Sequence, residues 1–161
     1  MTVKEALERM QRIDIVKVAE EVIVEYAPDV EMLNRNQMMK GQDGDGKPIR
    51  PRYSEDPFFK TRQQAEEYIR WKWQITPNPF RDPDTPNLFI NGQYHYSRQL
   101  YIEDRKIKFK SADNNAPEIE SKYKNLDGLS PESVLWFREK ELYPEIIDKL
   151  SQTTGLRKVT Q

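Results

Sequence analysis

Lys106, Lys108 and Lys110 alternate with Ile107 and Phe109. In an extended strand the three ammonium groups then share one face and the apolar residues the other. That face suits an anionic partner, either an acidic surface on a neighbouring subunit or DNA. The plain alternative is a solvated sheet face whose lysines block unwanted edge pairing. A second cluster, Arg70-Trp71-Lys72-Trp73, interleaves bases with aromatics, the combination that holds single-stranded nucleic acid by stacking and phosphate contact. On a helix, adjacent residues point about 100° apart, so the two indoles form no common platform. Trp73 continues a core stripe, and Trp71 is left as a packing or interface residue. The candidate functional residues are therefore Lys106, Lys108, Lys110, Arg70 and Trp71, all as interface residues rather than catalytic ones.

Other chemistry finds little purchase. The chain has no cysteine, which excludes disulfides, thiolate nucleophiles and cysteine zinc sites. Its one histidine, His95, sits in Gln93-Tyr94-His95-Tyr96-Ser97, where aromatic neighbours favour packing over acid–base work. Asp43, Asp45 and Gly46 resemble the centre of a calcium loop, but its first and last ligand positions fall on Gly41 and Arg52, so a surface turn is expected. No glycine-rich phosphate loop or glycine-flanked nucleophile is present. Glu20-Glu21 and Glu66-Glu67 read as solvated helix faces. No catalytic, cofactor or metal residue is assigned.

The composition agrees. Of 161 residues, 36% are hydrophobic and 33% charged, with a formal net charge of -1. The core is lean, the surface heavily charged, and no global positive field draws nucleic acid. Acids near the N-terminus and the lack of a long apolar run predict neither a signal peptide nor a membrane span.

The elements that position these residues follow from periodicity. Val3, Leu7, Met10, Ile13, Val16, Ala19, Ile23 and Tyr26 step by three or four, which predicts one long amphipathic N-terminal helix, interrupted at Pro28 and followed by a short second helix ending near Gly41. Residues 41–56 and 76–88 read as extended loops rich in glycine and proline. Thr61 begins a capping pattern for a helix reaching about Gln74. Leu100 to Lys110 predicts a β-hairpin whose apolar side lies on the first helix. Ser130-Pro131-Glu132 starts a C-terminal helix, kinked at Pro144 and closed at Gly155, with a flexible tail over 156–161. The expectation is one α+β domain over residues 1–155. Its N- and C-terminal helices pack on a small antiparallel sheet, and long proline-rich loops complete it.

The stretch from Asn91 to Gly128 resembles the tail-completion or virion-morphogenesis proteins of tailed phages, the small neck subunits of the head–tail connector. The family's short polar turn before a hairpin is matched by Asn91-Gly92-Gln93-Tyr94-His95-Tyr96-Ser97, then Leu100 to Ser111. A following segment with an acid, a tyrosine and a glycine is matched by Pro117 to Gly128. Asn91 stands where the family has threonine and Tyr94 where it has leucine. The resemblance implies a structural virion subunit, made in the host bacterial cytoplasm, that assembles with copies of itself as a ring, like a tail terminator. Its other partners would be portal, adaptor or tail-tube proteins, with DNA in the channel lumen and no membrane or cofactor. Two rivals remain: a nucleic-acid-associated accessory protein using Arg62, Arg70, Trp71, Lys72 and Trp73, and a small carboxylate-dependent hydrolase.

Overall fold

Asp14 decides how the chain begins. Its carboxylate accepts a hydrogen bond from Lys17 N at 3.1 Å, and so caps a new helix where periodicity alone predicts continuation. The computed structural model, which describes residues 2–156, therefore starts with two helices, α1 (Val3–Gln11) and α2 (Ile15–Glu25). An aspartate side chain competes for backbone N–H groups, which favours a cap over a helix interior. Thr2 caps α1 through a reciprocal pair with Glu5, at 3.2 and 2.7 Å. The apolar stripe also divides. Ile23 and Tyr26 join a core, whereas Val3, Leu7, Met10 and Val16 stay exposed and only Ala6 of α1 is buried.

The spine of the fold is α3 (Ala27–Met39), with Pro28 in its first turn. Val30 on this helix meets Phe109 and Phe137, ringed by Ile23, Tyr26, Leu33, Leu100, Ile107, Leu129 and Leu142. About two turns along, Met38 meets Ile49, Tyr94, Ala116, Tyr123 and Leu126 in a second cluster. Buried Asn34 and Gln37 lie between and bind backbone. Asn34 Nδ2 donates to Leu126 O and Gly128 O, and Gln37 donates to Asp43 O and accepts from Ser130 N. Two otherwise irregular segments are thereby fastened to one helix.

The protein is α+β: helices with a two-stranded antiparallel sheet among the described residues. Strands β1 (Gln99–Glu103) and β2 (Lys106–Lys110) pair with Leu100 opposite Phe109 and Ile102 opposite Ile107. Asp104 and Arg105 between them both take left-handed φ, 50° and 59°, the backbone a two-residue hairpin turn needs to match strand twist. The apolar face rests on α2 and α3 rather than on α1, and Leu100 N donates to Glu31 Oε1 at 2.8 Å.

Between spine and sheet lie a short 3₁₀ turn (Tyr53–Glu55), helix α4 (Arg62–Ile75, capped by Thr61) and the single turn α5 (Gln93–Tyr96). Helix α6 (Ala116–Lys122) follows the hairpin. The closing segment runs from Ser130, which caps α7 (Pro131–Phe137), through a wide π turn (Arg138–Leu142) into α8 (Tyr143–Thr154). The wide turn places Pro144 in the first turn of α8, where a missing N–H costs nothing. Gly155, at φ 71°, ends it. Of the expected tail, residues 157–161 lie outside the described part.

The loop over residues 76–88 buries Pro86 and packs Leu88 against a core cluster, and an arginine fastens its backbone. Buried Arg81 donates to the carbonyls of Thr85 at 2.7 Å, Thr76 at 3.2 Å and Pro83 at 3.3 Å. A fork of five donors can satisfy a turn that has no regular backbone pairing.

Candidate functional site

Period two along β2 places Lys106, Lys108 and Lys110 together on the outer face of the hairpin, beside Gln99, Tyr101 and Glu103. Lys106 and Lys110 are exposed. Lys108 instead bridges to the Glu103 carboxylate, and that hydrogen bond raises its pKa above the ordinary lysine value. The row is positive but carries its own partial counterion, so two lysines, not three, are free of the Glu103 bridge.

Lys108 also lines a groove with Tyr101, Glu120, Tyr123, Lys124 and Asp127. Beneath this groove Arg98 is buried, stacked 5.1 Å from the ring centres of both Tyr94 and Phe109. Its guanidinium donates to Asp127 Oδ1 at 2.9 Å, Tyr94 Oη at 2.5 Å and Leu126 O at 3.3 Å, with Glu120 at 3.6 Å. This arginine ties α5, the hairpin and the 126–127 backbone into one unit. A single arginine between serine and glutamine gives no sequence signal of burial.

The other candidates lie on α4, and the groove that Lys108 lines shares no residue with the one that Trp71 lines. Arg70 and Trp71 are exposed. Trp71 ends a chain of rings: Trp71 to Tyr68 at 5.3 Å, Tyr68 to Phe59 at 5.1 Å and Phe59 to Phe58 at 5.3 Å, with Tyr53 on the far edge of Tyr68 at 5.0 Å. Lys60, Gln64 and Glu67 complete the lining of this ledge. Phe58 and Phe59 were not singled out by sequence; the signal available was an aromatic pair after Pro57 in a polar stretch.

The remaining members of the nucleic-acid set are occupied elsewhere. Arg62 pairs with Glu66 at 2.7 Å, and Trp73 lies under the Arg81 guanidinium at 5.4 Å. Lys72 is 1% exposed, and its Nζ makes no hydrogen bond to any described residue. Burial, then the nearby Arg81 charge, pulls its pKa down to about 8. These positions cannot form one stacking and phosphate-binding surface. Glu66 and Glu67 likewise serve α4 itself, accepting from Arg62 and Gln63 one turn back.

His95 packs, as its aromatic neighbours suggest. Its ring lies edge-on to Phe89 at 5.4 Å, and Nε2 meets Asn87 O at 2.7 Å, which makes that nitrogen the donor in the neutral ring. Burial lowers its pKa to about 4, opposed by the Asn87 bond and reinforced by Arg98, Lys72 and Arg35.

Asp43 and Asp45 form the expected turn. Asp43 Oδ1 accepts from the backbone of Asp45 and Lys47, both at 2.9 Å, and Asn125 Nδ2 donates to Asp45 at 2.9 Å. Among the described residues no group of three or more histidines and carboxylates is placed to hold a metal ion, and no helix is long and apolar enough to cross a membrane. No family model matches the chain, and neither a curated protein nor a solved structure matches it.

Proposed function

We propose that the chain is a non-enzymatic structural subunit of a tailed-phage virion, a head–tail connector or tail-completion protein of the tail-terminator kind, working as a ring of identical copies. One observation carries the reading: large apolar side chains are exposed on several elements of the fold. Val3, Leu7 and Met10 follow one side of α1; Leu135, Trp136 and Tyr143 mark the C-terminal helices; Phe58 and Trp71 mark the α4 ledge. Contiguous exposed apolar patches favour interaction surfaces. Exposed apolar residues on several elements of one small chain suit a subunit with neighbours on more than one side.

The resemblance over Asn91 to Gly128 supplies the virion. Within it, Ser97 Oγ lies 2.7 Å from Ser111 Oγ, so the polar turn is stapled to the end of the hairpin and the two form one presented unit. The Lys106 and Lys110 side chains then face an acidic surface of the next subunit or of a portal, adaptor or tail-tube protein, or DNA in the lumen. Electron microscopy and peptide mass spectrometry of purified particles test this. The expected result is a fixed number of copies at the neck; particles without the chain would overturn it.

A further inference from the structure

Asn91 and Gly92 are the chain's one Asn-Gly pair, and they form the turn that leads into α5. Asn91 is exposed, while Gly92 is buried at φ 83°, in the left-handed region that glycine enters without steric cost. Asn91 Oδ1 accepts a hydrogen bond from Gln93 N at 3.0 Å. A bond of this kind folds the asparagine side chain back along the following peptide, which brings its carbonyl carbon, Cγ, to the side of Gly92 N. Gly92 N itself donates to no described residue.

We propose that Asn91 is a site of spontaneous modification, at which Gly92 N attacks Asn91 Cγ in the folded protein and the asparagine loses its amide nitrogen.

The reaction needs only water. The Gly92 N–H proton leaves to solvent hydroxide, and the nitrogen forms a bond to Cγ. The Cγ–Nδ2 bond then breaks, Nδ2 gains a proton, and ammonia departs. Water opens the resulting five-membered imide at one of its two carbonyls. Breaking the new Cγ–N bond restores the original backbone and leaves aspartate; breaking the bond to the former backbone carbonyl leaves isoaspartate, linked through Cγ. In sum, one amide and one water become one carboxylate and one ammonium ion.

Three features of the turn favour the attack. Glycine has no Cβ to crowd the approaching nitrogen. The attacking N–H is not held by another group. The Gln93 N–H already points at Oδ1, where negative charge develops as the carbonyl is attacked, and a donor aimed at developing charge lowers the barrier.

The other asparagines of the loops lack this combination. Asn87, four residues back, is 0% exposed, its Nδ2 donates to Thr76 Oγ1 at 3.3 Å, and branched Leu88 follows it. Asn78 precedes Pro79, which has no N–H to lose. Asn114 and Asn115 precede nitrogens already bonded to Asp113, at 2.9 and 3.0 Å. The aspartate product at position 91 keeps the bond from Gln93 N and strengthens it by charge, so the fold accepts it. The chain gains one negative charge on the turn that the Ser97–Ser111 bond joins to the hairpin, and an aged chain presents that unit with a different charge from a fresh one.

The test is to hold the purified full chain, folded, at mildly alkaline pH for days. It is followed by intact mass and by fragmentation of the tryptic peptide from Asp82 to Arg98, which contains both Asn87 and Asn91. The expected result is the mass gain of an amide-to-acid exchange confined to Asn91, with ammonia released in step. The rate should be higher at about pH 9 than at about pH 7, because the attacking nitrogen must first give up its proton. Asn91→Ser keeps an acceptor for Gln93 N but has no amide, and should hold its mass. Asn91→Asp, the product made directly, should melt like the parent chain. Four results each overturn the proposal: an Asn91 left intact in the folded chain, whether or not the urea-unfolded chain converts; an equal gain at Asn87; a rate that does not rise with pH; or an Asn91→Asp chain that melts well below the parent.

Discussion

Lys72→Met should stabilise the protein at neutral pH, and the gain should vanish on the alkaline side. The lysine is buried, its Nζ bonds to no described residue, and Arg81 lies close enough to disfavour its charge. Its pKa drops from 10.5 to about 8 on folding. At pH 7 the group is therefore protonated in both states, and the folded state bears the cost of a buried cation. A difference of that size corresponds to about 3 kcal/mol, and to about 2 kcal/mol after allowance for residual screening. The sign follows from proton counting. Between about 8 and 10.5 the unfolded chain binds the proton that the folded one has lost, so Lys72 adds stability as pH rises through this window. Methionine matches the unbranched stem and brings no charge. Urea denaturation followed by tryptophan fluorescence, at several pH values from 7 to 9.5, should show K72M more stable by about 2 kcal/mol at pH 7, a margin that narrows as pH rises. Comparing the two chains at each pH cancels the titration of tyrosines and surface lysines. A variant no more stable than the parent at pH 7, or a margin that does not change with pH, would refute the reasoning.

Three further outcomes are expected. His95 is buried neutral with its pKa lowered to about 4, so the unfolded chain binds its proton first and stability should fall as pH drops from about 6.5 to 4; denaturation of His95→Gln should show a flatter acid limb, and an identical slope would contradict it. At Gly44 an added Cβ would stand 1.7 Å from Asp127 O. Gly44→Ala must then push two backbone segments apart, with an expected loss of about 3 kcal/mol or more by thermal or urea melting. Reversing exposed Lys106 and Lys110 to glutamate should change stability by less than about 1 kcal/mol yet block incorporation into particles; normal incorporation would remove the hairpin face from the interface.

Local rules account for much of the fold. Ser130 with Pro131, Thr61 before α4, and Gly155 after α8 mark helix ends because caps and φ preferences act within three or four residues. The hairpin is equally legible, since alternation of Ile107 and Phe109 with lysines has one pleated solution. The grouping of Lys106, Lys108 and Lys110 on one face follows from the same period, and the packing of His95 from its aromatic neighbours. The break at Asp14 is not legible in the periodicity, because apolar spacing of three or four persists across a capped junction and does not register the cap.

What tertiary structure alone decided lies where the deciding partner is distant in the chain. Lys72 and Arg98 are long cations, yet both are buried. Two of the groups Arg98 binds lie 28 and 29 residues away, and no local pattern encodes such a separation. Arg81 helps order the proline-rich segment, because one guanidinium binds three of its backbone carbonyls while Pro86 is buried beside it. The aromatic ledge likewise joins Phe58 and Phe59 to Tyr68 and Trp71 across the turn before α4. Sequence supplied the faces of single elements, which depend on the period of one backbone. Which faces stay open, and which cations are enclosed, depends on how several elements fill space together.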